Sequence, residues 1–128
     1  GLGDVYKRQL INMIKKNNLR CGIAIKPKTS FKVLEKYLPF IDYIVVMSVE
    51  PGFGGQGFIP STLEKISSID KTLKEKNLRD QIAIQVDGGI KLHNAKEVID
   101  AGADILVAGS EVFKSENPSE TIDKMYSL

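Results

Sequence analysis

Four short apolar runs, separated by longer amphipathic segments, most constrain what this sequence can fold into. Each run is continuous in apolar residues, which is typical of parallel strands that are covered on both faces. Parallel strands need a crossover connection between them, and that connection is usually a helix. The sequence therefore predicts an α/β fold, with parallel strands at residues 21–25, 43–47, 82–86 and 105–108.

The segments between the runs carry apolar residues at helical spacing. Residues 63–73 show such a face, and Ser61 with Glu64 predicts a capping box at its start. Asn117 followed by Pro118 predicts the start of the last helix. Further helices are predicted at about 10–16, 31–38, 92–99 and 111–114.

The resulting order is one helix followed by four strand–helix units. Four such units make half of an eight-stranded (β/α)8 TIM barrel, in which the carboxyl ends of the strands carry the chemistry. A small, open, doubly wound sheet is the alternative, and it would bind ligands where the strand order reverses. The G-x-G-x-x-G pattern of that alternative is present as Gly52, Gly54 and Gly57, but it does not follow the first strand and the helix after it begins late, so the match is weak.

Glycine-rich turns follow three of the predicted strands. They occur at residues 52–55, at Asp87-Gly88-Gly89 and at Gly109-Ser110. Glycines allow backbone N–H groups to approach an anion closely, particularly ahead of a helix. Three such turns at one edge of a sheet predict a phosphate-binding rim, with Asp87 as an acid standing in it.

Charge and composition argue against several kinds of partner. The formal net charge is +2 without long runs of like charge, which argues against nucleic acid as a partner. No apolar run approaches the roughly 20 residues that a membrane span needs, and no secretory signal is visible. Cys21 is the single cysteine, so no disulfide can form within the chain. We therefore expect a cytoplasmic protein.

Three motifs, MSVEPGFGGQGFIP, IQVDGGI and AGADILVAGSEVF, resemble the second half of the ribulose-phosphate 3-epimerase family in order and spacing. The resemblance implies that the strands are the fifth to the eighth of a (β/α)8 barrel. It also implies interconversion of ribulose 5-phosphate and xylulose 5-phosphate by proton transfer at C3. Two aspartates act as acid and base in the family, and a divalent metal (zinc, iron(II) or manganese) is held by them and by two histidines.

The resemblance carries roles to individual positions. Asp87 matches the second family aspartate, which is both a catalytic residue and a metal ligand. Met47 matches a methionine at the reaction centre. The phosphate-binding residues implied in the same way are Gly52, Phe53, Gly54, Gly55, Gly88, Gly89, Gly109 and Ser110.

Part of the family's machinery has no counterpart in this chain. The other aspartate and both metal-binding histidines belong to the first half of the barrel, and the single histidine, His93, lies at a predicted helix start where we expect it to be exposed. We expect this chain alone to be inactive, with open edges at its first and last strands.

The resemblance begins near Leu10, so we expect residues 1–9 to be a poorly packed adapter or vector sequence and residues 10–128 to be the half-barrel.

Two other functions are compatible with the same motifs. One is a phosphate-binding half-barrel module without catalysis, and the other is a hexulose phosphate 3-epimerase acting on allulose 6-phosphate. In each case the ligand is a small phosphorylated compound, and for the intact enzyme we expect a homo-oligomer.

Overall fold

A four-stranded parallel sheet forms the centre of the computed structural model, which describes residues 2–50 and 57–128. The strands lie side by side in chain order, so each strand pairs with its neighbours along the sequence. The predicted parallel α/β architecture is confirmed. The strands are β1 (Gly22–Ile25), β2 (Tyr43–Met47), β3 (Ala83–Asp87) and β4 (Ile105–Val107).

Helices connect the strands, as the apolar spacing predicted. The first of these connections, between β1 and β2, is a 3₁₀-helix rather than an α-helix, and it contains Pro39 near its end. Described residues of the chain contain no helix that is both long enough and apolar enough to cross a membrane. The helices are α1 (Leu2–Lys16), the 3₁₀-helix (Phe31–Phe40), α2 (Thr62–Glu75), α3 (Leu92–Ala101), α4 (Gly109–Phe113) and α5 (Pro118–Tyr126).

Helix α1 begins well before the position near Leu10 that the sequence predicted. The Asp4 carboxylate accepts a hydrogen bond from Lys36 Nζ at 2.6 Å and another from the Tyr37 hydroxyl. These two bonds, that of Lys36 first, hold the pKa of Asp4 well below its usual value. Most other side chains of α1 are exposed until Ile11, which is buried. The foreign origin of residues 1–9 stays a prediction.

The two helix starts singled out by sequence behave differently. Asn117 caps α5, because its side-chain oxygen accepts a hydrogen bond from the N–H of Glu120 at 3.2 Å and Pro118 occupies the first turn. The capping box predicted at Ser61 is wrong. The Ser61 backbone is already helical and its side chain makes no capping bond, so the N–H of Thr62 bonds instead to the Ile59 carbonyl at 3.0 Å.

The two faces of the sheet differ in how far they are covered. Side chains that point toward the helices, such as Ile44, Val46 and Ile84, are fully buried. Alternate residues point to the other face, which we call the inner face, and most of them are half-buried. Continuous apolar runs predicted two covered faces, but only the helix side holds the main core. The inner face carries Tyr43, Val45, Met47, Ala83, Gln85, Asp87, Ile105 and Val107.

Both outer strands have open edges in the described part of the chain, as predicted. Strand β1 pairs with β2 alone, and β4 pairs with β3 alone. Ile105 and Val107 of β4 are 39% and 36% exposed. Cys21, next to β1, is buried, and burial raises the pKa of its thiol.

Arg79 connects several segments at the amino-terminal edge of the sheet through hydrogen bonds. Its guanidinium donates to Asp70 at 2.6 Å and to the two carboxylate oxygens of Asp104 at 2.9 and 3.0 Å. It also donates to the carbonyls of Ile82 and Gly102 at 3.1 and 2.9 Å. The Arg79 side chain is 18% exposed. Hydrogen bonding, above all to Asp104, raises the pKa of Arg79, although burial opposes this.

We expect Arg79→Met to lower the free energy of unfolding by about 2–3 kcal/mol, because it leaves two carboxylates and two carbonyls without their shared donor. Urea denaturation measures this loss. The matched control is Lys74→Met, which removes an exposed ion pair with Asp70 and should cost about 0.5 kcal/mol or less. Equal losses in the two variants would contradict the assigned role of Arg79.

The carboxylates of Asp70 and Asp42 make the free energy of unfolding depend on pH in the acid range. For Asp70 burial is the largest influence and opposes ionisation, but Lys74 and Arg79 together outweigh it and lower the pKa. For Asp42 burial is again outweighed, by the Cys21 N–H at 2.7 Å and by Lys15 at 2.9 Å, and the pKa is lowered.

A carboxyl whose folded pKa lies below its unfolded value of about 3.9 stabilises the fold above that pH and loses this effect as the pH falls. We therefore expect the urea midpoint to be flat from pH 7 to 5 and to fall steadily toward pH 3. Asp42→Asn should weaken that fall. An unchanged pH profile in this variant would show that Asp42 does not contribute to it.

Candidate active site

Asp87 lies at the carboxyl end of β3, in the middle of the sheet. It pairs in register with Met47 at the end of β2 and with Val107 at the end of β4. Its side chain is half-buried on the inner face, and its carboxylate has no hydrogen-bond partner among residues 2–50 and 57–128. Asp87 is therefore placed to act on a molecule bound at this edge.

Ser48 joins the ends of β2 and β3, and it was not singled out from the sequence. Its backbone N–H donates to the Asp87 carbonyl at 2.9 Å, and its hydroxyl donates to the Gly88 carbonyl at 2.5 Å. Its own carbonyl accepts from the N–H of Ile59 at 2.9 Å. Ser48 is fully buried, so these bonds fix the backbone that carries Asp87.

The turn after Asp87 requires glycine. Gly88 and Gly89 have φ angles of 128° and 69°, in the region that side chains disfavour. A Cβ on Gly88 would lie 2.6 Å from Cγ2 of Val49 and 2.9 Å from its backbone nitrogen. The close approach of the ends of β2 and β3 therefore requires glycine at position 88, whether or not a ligand is bound.

Asn94 and Lys91 hold the start of α3 against this turn. The Asn94 side chain accepts from the Lys91 N–H at 2.8 Å and donates to the Gly89 carbonyl at 3.0 Å. Lys91 Nζ donates to the Ser110 hydroxyl oxygen at 2.8 Å. The Glu111 carboxylate accepts from the Leu92 N–H at 2.5 Å. The second and third glycine turns are thus joined by side chains.

The structure brings six of the predicted site residues to one edge of the sheet. Helix α4 starts at Gly109 rather than at 111, so Gly109 and Ser110 form its first turn. His93 is exposed at the start of α3, as expected. Residues Gly52, Phe53, Gly54 and Gly55 lie outside the described residues. The six are Met47, Asp87, Gly88, Gly89, Gly109 and Ser110.

The described residues do not make a metal site by themselves. No group of three or more His, Cys, Asp or Glu side chains is placed to share an ion in that part of the chain. Asp87 is the one carboxylate that the inner-face positions of the four strands contribute. A metal would need further ligands, so we derive no step of a reaction through one.

A cavity of about 630 Å³ lies at the opposite, amino-terminal edge. Arg79, Asp70 and Asp104 line it, and their charges are already paired with one another. This cavity is therefore part of the ion-pair cluster of Arg79, Asp70 and Asp104, which stabilises the fold. The chemistry-bearing side chains lie at the carboxyl edge.

A carboxylate on the inner face, beside glycine turns at the carboxyl edge of sequential parallel strands, is the arrangement expected of half of a β/α-barrel enzyme. The chain belongs to the ribulose-phosphate 3-epimerase family, since the family model matches residues 4–113. That match starts inside the stretch 1–9, and the boundary at residue 10 stays a prediction.

Two curated relatives are named ribulose-phosphate 3-epimerase. That of Chlamydia pneumoniae is 44% identical over 110 residues, covering 86% of this chain and 48% of the relative. That of Escherichia coli strain K12 is 39% identical over 117 residues, covering 91% and 51%. The chain thus spans about half the length of these relatives.

A solved structure of 3-hexulose-6-phosphate synthase supports the fold. It superposes with a TM-score of 0.63 at 14% identity, covering 92% of this chain and 53% of that one. At this identity the likeness concerns the fold alone. Together with the sequential parallel strands, it confirms the predicted half of a (β/α)8 barrel.

We expect Gly88→Ala to lower the free energy of unfolding by about 2–3 kcal/mol, because the Cβ meets the Val49 backbone and the φ angle is unfavourable. Thermal or urea unfolding measures the effect. Gly57→Ala is the control, since no atom of the described residues lies within 4 Å of its added Cβ, and it should change stability by about 0.5 kcal/mol or less. A Gly88→Ala variant as stable as this control would contradict the close-approach argument.

Proposed function

We propose that this chain carries the phosphate-binding turns and one catalytic acid of a ribulose-phosphate 3-epimerase. The reaction interconverts D-ribulose 5-phosphate and D-xylulose 5-phosphate in the pentose phosphate pathway. The observation that carries the proposal is the Asp87 carboxylate beside the Gly88-Gly89 turn, which has no hydrogen-bond partner among the described residues, in a chain of this family.

The chemistry needs a proton to leave C3 and another to return to its opposite face. The C2 carbonyl acidifies the C3 hydrogen, and a carboxylate that removes it leaves an enediolate with the electron pair delocalised onto the carbonyl oxygen. Asp87 can perform one of these two transfers. A second acid on the other face of the substrate must perform the other.

The glycine turns would anchor the substrate through its phosphate. Backbone N–H groups at Gly88, Gly89 and Gly109 lie at the same edge as Asp87. A phosphate fixed there would hold the sugar carbons over the inner face. Ser48 would keep Asp87 in register with this anchor.

A divalent metal (zinc, iron(II) or manganese) would stabilise the charge of the enediolate in the whole enzyme. We propose Asp87 as the contribution of this chain to that metal. The remaining ligands and the second acid would come from the first half of the barrel. A cytoplasmic location and a homo-oligomeric state for the intact enzyme belong to the same proposal.

We expect Asp87→Asn in an epimerase of full length to lower kcat by about 10²–10⁴-fold, because the amide keeps the shape but cannot transfer the proton. A coupled assay of xylulose 5-phosphate formation measures this. Glu75→Gln, exposed in the last turn of α2, is the control and should leave kcat unchanged. An Asp87→Asn rate within threefold of the parent would overturn the assignment.

We expect the 128-residue chain alone to show no epimerase turnover with zinc, manganese or iron(II), because inversion needs two acids and the inner face supplies one. Turnover that disappears in Asp87→Ala would contradict this expectation. Phosphate binding without turnover, in an intact protein as well, would favour the non-catalytic module. Faster conversion of allulose 6-phosphate than of ribulose 5-phosphate by the intact protein would favour the hexulose enzyme.

A further inference from the structure

Lys91 differs from other lysines of this chain in what its ammonium group contacts. Its Nζ lies 2.8 Å from the Ser110 hydroxyl oxygen, and its side chain is half-buried. It has no ion pair with any residue that the structure describes. Several other lysines do pair with carboxylates, namely Lys15, Lys36, Lys74, Lys96 and Lys124.

The nearby acid does not neutralise this charge. Glu111 directs its carboxylate to the Leu92 N–H at 2.5 Å and forms no ion pair with Lys91. An ammonium group has three donors and no acceptor, so the bond to Ser110 leaves two donors without a partner among residues 2–50 and 57–128. The Lys91 backbone is fixed as well, by the Asn94 side chain at 2.8 Å. A cation with free donors is therefore held in place between the second and third glycine turns.

We propose that Lys91 is a phosphate-binding residue of this site, acting both directly and through Ser110. This inference rests on the proposed function, because it places the substrate phosphate at the same turns. Lys91 and Gly89 both line a cavity of about 460 Å³ that also contacts Gly57 and Phe58. Lys91 therefore borders a cavity whose lining also includes His93 and Glu97.

The hydrogen-bond pattern also sets the direction of the Ser110 hydroxyl. Because Lys91 donates to its oxygen, the hydroxyl hydrogen must point elsewhere, and it has no acceptor within the described ranges. A phosphate oxygen would accept it. The contact with Lys91 thus leaves the Ser110 hydroxyl free to donate to a phosphate oxygen. Lys91 itself can donate a second, charge-assisted hydrogen bond to the phosphate, which carries about 1.5–2 negative charges at pH 7.

Such a contact is the same in the ground state and in the transition state, since the phosphate does not react. Loss of the ammonium group should therefore raise KM for the phosphorylated sugar and leave kcat nearly unchanged in an enzyme of full length. A residue that only braces the two turns would change stability instead.

The direct experiment is calorimetric titration of this chain with inorganic phosphate at pH 8. Lys91→Met should weaken phosphate binding by about tenfold or more, the usual effect of losing a charge-assisted hydrogen bond. Lys91→Arg, which keeps the charge, should stay within about threefold of the parent. Lys96→Met is the control, because Lys96 lies on the same helix and pairs with Asp100, and it should bind phosphate as the parent does.

Thermal unfolding without phosphate distinguishes a role of Lys91 in phosphate binding from a role in stabilising the two turns. Lys91→Met and Lys91→Gln should both melt close to the parent, and either variant that folds suffices for the titration. Binding as tight as the parent's in the folded variant would overturn the role of Lys91 and leave the proposed function standing. A parent chain that binds no phosphate would overturn both.

Discussion

In-register parallel pairing is the constraint on which the rest of this structure depends. Because β2, β3 and β4 end together, Met47, Asp87 and Val107 form one row across the sheet. The turns that follow must then diverge from a common line within a few residues. Glycines at the second turn and the buried Ser48 make this crowding possible. The site is a consequence of that shared edge.

The two edges of the sheet divide stability and chemistry between them. At the amino-terminal edge the Arg79 guanidinium donates to Asp70 and Asp104, so these three charges are paired with one another. At the carboxyl edge Asp87 and Lys91 are held by their backbones, while their charged groups are not paired within the described residues. A binding site needs charged groups that are held in place but not already paired. Such groups lower the free energy of unfolding, and the ion pairs at the amino-terminal edge help to offset this loss.

Local patterns predicted the elements, and long-range contacts decided the details. The continuous apolar runs correctly located all four strands, because strand residues that pack against helices are apolar. The same runs predicted that the inner face is covered as well, which is only partly so, since apolar composition does not show what packs against that face. The Ser61 capping box failed because backbone bonds from the preceding turn already start α2. The partners of Ser48 and Lys91 are far away in sequence, so no spacing rule could have identified them.

The neighbour-to-neighbour strand order also bears on how such a chain is made. Each strand finds its partner within one strand–helix unit, and no strand must wait for a segment synthesised much later. Pairing can therefore advance along the nascent polypeptide as it leaves the ribosome, with short loop closures at every step. The exposed β4 edge is the growing end of that process, and it stays adhesive until something covers it. A chaperone that shields strand edges would then act at β1 and β4, while β2 and β3 are already paired on both sides.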